Sequence, residues 1–160
     1  MTYPPLDPDA AARFASFGEV PPMRARGLQA VRAGLESAPL PEMPAMAGIE
    51  DLTARGPAGP IPLRLYRPTA EPRLPVLVYL HGGGLVMGSN RSFEPLAREL
   101  AHASGAAVVA VEYRLAPESP PPAQFDDAYV ATEWVAGHAD QVAAVAAHPR
   151  DFGDGLQPRP

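Results

Sequence analysis

The sequence Val76-Leu77-Val78-Tyr79-Leu80-His81-Gly82-Gly83-Gly84 decides the fold of this chain. Its first five residues are apolar and include β-branched valines, which is typical of a buried parallel strand. Three glycines follow His81 and allow a sharp turn in which backbone N–H groups approach a ligand closely, because no Cβ stands in the way. N–H donors held at the end of a strand can stabilise an oxyanion that develops during acyl transfer. The segment therefore predicts a strand that ends in an anion-binding loop.

The residues after this loop predict a strand–helix–strand unit. A helix is expected over about 92–103, where Leu96 and Leu100 lie four apart on one face, and Gly105 provides a helix stop. Ala107–Val111 is typical of a second buried strand. Because such crossovers join parallel strands in α/β sheets, we predict the α/β fold class.

A further helix and a tail complete the C-terminal side of the chain. The helix is predicted over about 125–139, with Ala128, Trp134 and Val135 as its inward stripe. From residue 142 the helical periodicity fades. Residues 142–160 are therefore predicted to form an irregular tail.

The sequence before the first parallel strand predicts two helices and a β-hairpin. Asp7-Pro8 resembles an N-cap followed by a proline at the first helical position, which opens a helix that reaches about residue 18. A second helix is predicted over about 23–35. Residues 49–55 and 61–67 alternate apolar and polar side chains around a turn rich in glycine and proline, which predicts a hairpin.

Composition excludes several classes of function. With 160 residues, of which 46% are hydrophobic, the chain is long enough for one domain with a core. A net charge of −5 gives no basic footprint for nucleic acid. The lack of cysteine excludes disulfides, thiolate zinc sites and a cysteine nucleophile, and it fits a reducing compartment. No signal-peptide pattern and no apolar run of spanning length is present, so we expect a cytoplasmic protein without a membrane span.

Motifs further along the chain carry a resemblance to a known family. His81-Gly82-Gly83-Gly84 is followed some thirty residues later by Val111-Glu112-Tyr113-Arg114-Leu115-Ala116-Pro117-Glu118. The remaining matching residues are Pro120, Pro122, Ala123, Asp127-Ala128-Tyr129 and Trp134-Val135. In this order and spacing, they resemble the hormone-sensitive-lipase-like branch of the α/β-hydrolases, which are carboxylic-ester hydrolases. The resemblance covers most of residues 1–140, and it departs from the family where Glu112 replaces the usual Asp.

The resemblance implies a fold and a set of site residues. It implies a partial α/β-hydrolase fold, with N-terminal cap helices in residues 1–45 and the N-terminal half of the core in residues 46–141. Gly83 and Gly84 would supply two oxyanion-hole N–H groups, and His81 would brace their loop. The substrate would be a small-molecule ester, and neither a cofactor nor a metal is implied.

The second motif is expected to act as a scaffold. By resemblance, Tyr113, Arg114 and Glu118 would hold the loop after the second parallel strand, and Asp127 would have a structural role on the next helix. The residue types predict a buried or half-buried ion pair of Arg114 with Glu118. Asp126 and Asp127 point about 100° apart on a helix, so we expect solvated side chains near the helix N-terminus rather than one shared site.

The family's nucleophile has no counterpart in this sequence. It would be a Ser in a Gly-Asp-Ser-Ala-Gly turn on the strand after the helix that holds Trp134, with the acid and the His further downstream. None of the six serines has Gly at both i−2 and i+2, and Gly153-Asp154-Gly155 has Gly where the Ser would stand. We therefore expect a chain truncated or frameshifted near Pro149, before the nucleophile strand, and close to inactive alone. Val76–Leu80 would then be an edge strand available for self-association.

Other functions stay open at this point. A dinucleotide site would use Gly82, Gly84 and Gly88 with Glu112 on the ribose, although the glycine spacing is off by one from G-x-G-x-x-G. A non-catalytic module could hold an acyl or carboxylate ligand on the same loop. The chain could also be one half of a split enzyme, whose second chain supplies the missing catalytic residues.

Overall fold

The computed structural model describes residues 4–16, 18 and 21–144. The helices are α1 (Pro8–Ser16), α2 (Met23–Arg26), α3 (Leu28–Ser37), α4 (Glu94–Ser104), α5 (Ala123–Gly137) and α6 (Ala139–Ala144). The strands are β1 (Gly48–Gly56), β2 (Gly59–Arg67), β3 (Val76–Leu80) and β4 (Ala107–Val111). This architecture confirms the predicted α/β class. None of the helices in the described part of the chain has the length and apolar character of a transmembrane segment.

A four-stranded mixed sheet, in the order β1-β2-β4-β3, forms the centre of the fold. β1 and β2 pair antiparallel as the predicted hairpin, and β2 continues antiparallel onto β4. β3 and β4 are parallel, with Val76 opposite Ala107 and Leu80 opposite Val111, so the predicted crossover unit is confirmed. Within the described residues, β3 pairs on one side only and forms an edge of the sheet.

Each face of the sheet buries its own apolar cluster, because successive side chains of a strand point to opposite faces. The larger cluster joins β1, β2 and β4 to α5 and α6 through residues that include Leu63, Val109 and Val135. The smaller cluster joins Tyr66 and Val108 to Ala97 and Ala101 of α4. β4 contributes to both clusters, and all five of its residues are buried.

Helix α4 packs on the sheet with only one of the two predicted leucines, Leu100, which is half-buried against the smaller cluster. Its buried residues are Glu94, Ala97 and Ala101, whereas Leu96 is 48% exposed. Alanine lets the helix backbone approach the sheet closely, and the Leu96 position lies on the outer side. The predicted helix stop is confirmed, since Gly105 has φ 67° and its N–H donates to the carbonyl of Ala101.

The predicted helix over 23–35 is two helices. Gly27 separates α2 from α3 with φ 78°, a conformation that L side chains rarely adopt. The inward face of α3 consists of Val31, which is buried, and of Leu28 and Leu35, which are half-buried. Helices α1 to α3 lie within residues 1–45, and the separation of this segment as a cap domain stays a prediction.

The last described helix extends into the predicted tail. α6 continues through residue 144, so the prediction of irregular structure from residue 142 is wrong at its first three positions. Val142 is 1% exposed within the larger cluster, and its carbonyl accepts a hydrogen bond from Arg67 at 3.0 Å. Burial of this side chain keeps the segment helical where periodicity alone is weak. The rest of the predicted tail, residues 145–160, lies outside the described residues.

Candidate active site

The loop after β3, called here the glycine loop (residues 81–88), makes a tight turn through the left-handed region. Gly83, Gly84 and Gly88 have φ values of 129°, 62° and 99°. Leu85 has φ 65°, which costs a residue with a Cβ about 1–2 kcal/mol. Such a conformation persists only where the surrounding structure holds it.

Two of these glycines are also needed for space. A Cβ on Gly83 would lie 1.9 Å from the carbonyl oxygen of Met87, and one on Gly88 would lie 2.7 Å from the carbonyl oxygen of Gly82. A Cβ on Gly84 would meet no atom within 4 Å. Gly83 and Gly88 therefore permit the close packing of the loop, whereas Gly84 faces open space.

The backbone of the glycine loop is bonded at its carbonyls and not at its central amides. The N–H groups of Val86 and Met87 both donate to the carbonyl of Gly83 at 3.2 Å, and Ala116 donates to the carbonyl of Leu85 at 2.9 Å. Among the described residues, no acceptor pairs with the N–H of Gly83 or Gly84. Two adjacent donors without partners, at the carboxyl end of a strand, can receive an anion.

His81 lies buried beneath the glycine loop, with 4% of its surface exposed. Its ring stacks on Phe93 and Tyr113, with centroid distances of 5.5 and 4.3 Å. Nδ1 lies 2.9 Å from the carbonyl oxygen of Gly82, so a hydrogen bond to this acceptor assigns the proton to Nδ1. These contacts place His81 where a bracing residue would be needed, and the bracing role itself stays a prediction.

Tyr113, from the second motif, ties the two loops together. Its hydroxyl donates to the carbonyl of His81 at 2.6 Å. Burial raises the pKa of Tyr113, and the charges of Tyr79 and Glu112 raise it further, so the hydroxyl keeps its proton for this bond. The scaffold role implied by the resemblance agrees with this geometry.

The loop after β4, called here the charged loop (residues 112–122), is held by an ion pair that differs from the predicted one. Arg114 pairs with Asp127, not with Glu118: Nη2 donates to Oδ1 at 2.7 Å and Nε donates to Oδ2 at 2.8 Å. Asp127 is 1% exposed and also accepts the backbone N–H of Arg114, so it is not solvated as predicted. Burial alone would raise the pKa of Asp127, but the hydrogen bonds and charge of Arg114 outweigh burial and lower it.

The position of Asp127 follows from where α5 begins. Since the helix starts at Ala123, Asp127 lies on the same face as Ala131 and Val135, which are also buried. The predicted stripe contained Val135 but missed Asp127 and Ala131, while Ala128 and Trp134 are only half-buried. A carboxylate on an otherwise apolar helix face was the sequence signal that Asp127 would be buried and would need a charged partner.

Glu118 pairs instead with Arg32 of α3, a residue that the sequence analysis did not single out. Arg32 Nη1 lies 2.7 Å from Glu118 Oε1. The hydrogen bond from Arg32 is the largest cause that holds the pKa of Glu118 at about 2. No local pattern joins the two residues, because they lie 86 positions apart.

Glu112, which replaces the Asp usual in the family, forms a hydrogen bond that holds the backbone in place. Its Oε2 accepts the backbone N–H of Asn90 at 2.6 Å, and Asn90 Nδ2 donates to the carbonyl of Ala110 at 3.3 Å. These bonds fasten the segment that follows the glycine loop. They also argue against Glu112 as a free acid for a ribose.

The described residues contain neither a paired nucleophile nor a metal cluster. No serine hydroxyl in this part of the chain is hydrogen-bonded to a histidine, and Ser89 instead donates to Glu36 at 2.5 Å. Within the same residues, no three His, Asp or Glu side chains come together as a metal site. The arrangement can bind and polarise an anionic oxygen, but it lacks an attacking group of its own.

Comparisons with known proteins agree with this fold and motif pattern. A family model described as an alpha/beta hydrolase fold matches residues 77–153. The chain is similar to Esterase LipI of Mycobacterium tuberculosis, with 45% identity over 121 residues, which cover 74% of this chain and 38% of LipI.

Two solved structures share the fold at comparable identity. An esterase from the hyperthermophilic archaeon Pyrobaculum calidifontis has a TM-score of 0.76 and 36% identity, over 88% of this chain and 46% of that chain. EstE1, a thermostable carboxylesterase from a metagenomic library, has a TM-score of 0.68 and 35% identity, over 76% of this chain and 43% of that chain. The chain thus spans less than half the length of these relatives.

Proposed function

Because this chain belongs to the hormone-sensitive-lipase-like family of α/β-hydrolases, we propose that it supplies the oxyanion-hole part of a carboxylic-ester hydrolase. The observation that carries the proposal is the pair of N–H groups on Gly83 and Gly84, which have no acceptor among the described residues. The substrate is a small-molecule ester, and no cofactor or metal takes part.

In the proposed reaction, the N–H groups of Gly83 and Gly84 bind the carbonyl oxygen of the ester. When a nucleophile adds to the carbonyl carbon, the electron pair of the C=O bond moves to that oxygen, which becomes negatively charged. Donors aimed at this oxygen bind the charged state more strongly than the neutral ester and so lower the barrier. The serine, histidine and acid that complete the reaction are assigned to a segment outside this sequence.

The scaffold around the loop supports the proposal. Gly83 permits the close approach of Met87, and His81 and Tyr113 fill the space beneath the turn. Donors that are fixed before the substrate arrives need no reorganisation during the reaction, which is the condition under which an oxyanion hole is effective.

A chimera tests the proposed function. Residues 1–144 would be joined to the C-terminal remainder of LipI, and hydrolysis of p-nitrophenyl butyrate measured. We expect turnover by the chimera, and a loss of at least about 10²–10³-fold in kcat for Gly84→Pro, which lacks the N–H donor and whose ring cannot adopt the φ of 62° at this position. Gly84→Ala is the matched control, since it keeps the N–H and its Cβ meets no atom within 4 Å. Equal kcat values for an active chimera and its Gly84→Pro variant would contradict the proposal.

A second candidate is a non-catalytic module that binds a carboxylate on the same donors. It is favoured by one observation, namely that no described serine has a histidine partner. Titration of the full chain with butyrate, followed by the amide shifts of Gly83 and Gly84, tests it. Saturable shifts in a chain whose chimera does not turn over ester would favour this candidate over the hydrolase.

The proposal extends to self-association through β3. This strand is apolar, pairs only with β4 among the described strands, and leaves Leu80 45% exposed. An unpaired apolar edge is a template for pairing with another copy. We expect Leu80→Lys to shift the chain towards monomer in sedimentation velocity, whereas Leu96→Lys, which alters a 48% exposed leucine on α4, would not. A monomeric wild-type chain at micromolar concentration would refute the extension.

Location and partners complete the proposal. We assign the protein to the cytoplasm, and we assign it no nucleic-acid partner because its net charge is −5. Fractionation of cells that express the tagged chain would test the location. A filter-binding assay with duplex DNA at low salt would test the second assignment.

A further inference from the structure

We propose that Arg32 of α3 is a positioning residue that holds the glycine loop in the conformation that presents the N–H groups of Gly83 and Gly84. The inference rests on the proposed function, in which those N–H groups bind the carbonyl oxygen of the ester. It assigns to a helix outside both sequence motifs a direct role in shaping the loop.

A single guanidinium reaches both loops. Arg32 Nε donates to the carbonyl of Val86 in the glycine loop at 2.7 Å. Nη2 donates to the carbonyl of Ala116 in the charged loop at 2.6 Å, and Nη1 and Nη2 bind the two carboxylate oxygens of Glu118 at 2.7 and 3.0 Å. The side chain is 18% exposed. Because the guanidinium is planar with fixed donor directions, these bonds determine the relative position of the three acceptors.

Neighbouring residues of α3 bind the same region. Gln29 Nε2 lies 3.4 Å from Glu118 Oε1, and Glu36 accepts the hydroxyl hydrogen of Ser89 just after the glycine loop. Positions 29, 32 and 36 share one helix face, since they are three and four residues apart. The polar face of α3 is therefore docked on both loops, with Arg32 at its centre.

The bond to Val86 acts directly on the turn that carries the free donors. Three carbonyls of the turn are held by four donors. The carbonyl of Gly83 accepts the amides of Val86 and Met87, that of Leu85 accepts the amide of Ala116, and that of Val86 accepts Arg32 Nε. Arg32 also binds the carbonyl of Ala116, so it supports the second of these bonds as well as the third.

Loss of Arg32 would allow this turn to relax. Leu85 has φ 65°, a conformation that its surroundings must maintain. Without the bond to Val86, rotation of the adjoining peptide planes would relieve Leu85. The same rotation would change the direction of the N–H groups of Gly83 and Gly84. Arg32 therefore acts on the donors through the backbone, without contact with the substrate.

Arg98 provides a matched control for a purely structural arginine. It is 19% exposed, forms an ion pair with Glu94, and donates to the carbonyl of Pro44 at 3.5 Å. It lies on α4 and has no bond to either loop. Arg32→Gln and Arg98→Gln therefore remove the same charge from sites of equal exposure, and only the first touches the glycine loop.

The experiment measures amide hydrogen exchange and amide shifts in the full chain. Arg32→Gln should speed exchange of the Val86 and Met87 amides by about tenfold or more, relative to β4 amides, and shift the signals of Gly83 and Gly84. Arg98→Gln should leave these signals and rates as in wild type. Glu118→Gln should have an intermediate effect, because Arg32 keeps its bonds to the carbonyls of Val86 and Ala116. Equal effects of Arg32→Gln and Arg98→Gln on the loop amides would overturn the proposal.

Two additions keep the test decisive. Should Arg32→Gln fail to fold, Arg32→Lys replaces it. Lysine keeps the positive charge but lacks the planar set of guanidinium donors, so the Val86 and Met87 amides should again exchange faster than in wild type. Acetate titration of the Gly83 and Gly84 signals should then show about fivefold weaker binding in the Arg32 variant, from lost preorganisation. If wild type binds no acetate and the chimera is inactive, the proposed function fails, while the exchange rates still decide the role of Arg32.

Discussion

Two loops leave the same edge of the sheet after two neighbouring parallel strands, and they are built by opposite means. The glycine loop depends on backbone conformation: Gly83 and Gly88 permit close contacts, and two N–H groups are left without an acceptor among the described residues. In the charged loop, Arg114 and Glu118 each have a charged partner on a helix. The difference fits the proposal that the glycine loop receives a ligand, whereas the charged loop holds the glycine loop in place.

The largest effect is expected where the charged loop loses its buried anchor. Asp127→Ala removes a buried carboxylate that accepts three hydrogen bonds from Arg114, one of them from its backbone N–H, and should lower the free energy of unfolding by about 3–5 kcal/mol. The adjacent Asp126→Ala is the control, because Asp126 is exposed and should change stability by less than about 0.5 kcal/mol. Urea unfolding followed by circular dichroism measures both. Similar losses for the two variants would show that the ion pair does not anchor this loop.

A smaller effect is expected from crowding the glycine loop. Gly83→Ala would place a Cβ 1.9 Å from the carbonyl oxygen of Met87, and we expect a loss of about 2–4 kcal/mol from the clash and the left-handed backbone. Gly84→Ala has open space and should lose only about 1–2 kcal/mol from its φ of 62°. Urea midpoints compare the two. A tolerated Gly83→Ala would mean that the turn is less tightly closed than its contacts indicate.

The smallest effect concerns the ion pair between Glu118 of the charged loop and Arg32, and it depends on pH. Glu118 has a pKa of about 2 in the fold, against an ordinary value of 4.5, so ionisation favours the folded state. Its contribution to stability should be complete above pH 4.5 and should be lost as the pH falls towards 2. Because Glu118 is exposed, the decline will be shallow.

Comparison with Glu118→Gln isolates this contribution. The difference in unfolding free energy between wild type and the variant, measured by urea unfolding from pH 6 down to 2, should shrink across that interval. A difference that stays constant with pH would show that the carboxylate charge does not stabilise the contact with Arg32.

Short-range patterns were sufficient for much of the sheet and its glycine loop. The bounds of β3 and β4 agree with the predicted segments residue for residue, because apolar runs between turn residues act locally. The helices were less predictable. Gly27 divides the second helix, and α4 packs through Ala97 and Ala101 rather than Leu96, because the space beneath a helix depends on the sheet it covers.

The chain order of strands, helices and glycines was thus enough to predict the α/β fold, and the anion-binding role of the turn at residues 82–84 stays a prediction. Ion-pair partners were decided only on folding. Arg114 binds a carboxylate 13 residues away and Glu118 binds an arginine 86 residues away. Neither separation corresponds to the short-range repeat of a helix or a strand, so no sequence pattern indicates these pairs. A charged side chain pairs with whatever opposite charge the packed elements bring within reach, and that depends on the assembled backbone rather than on neighbours along the chain.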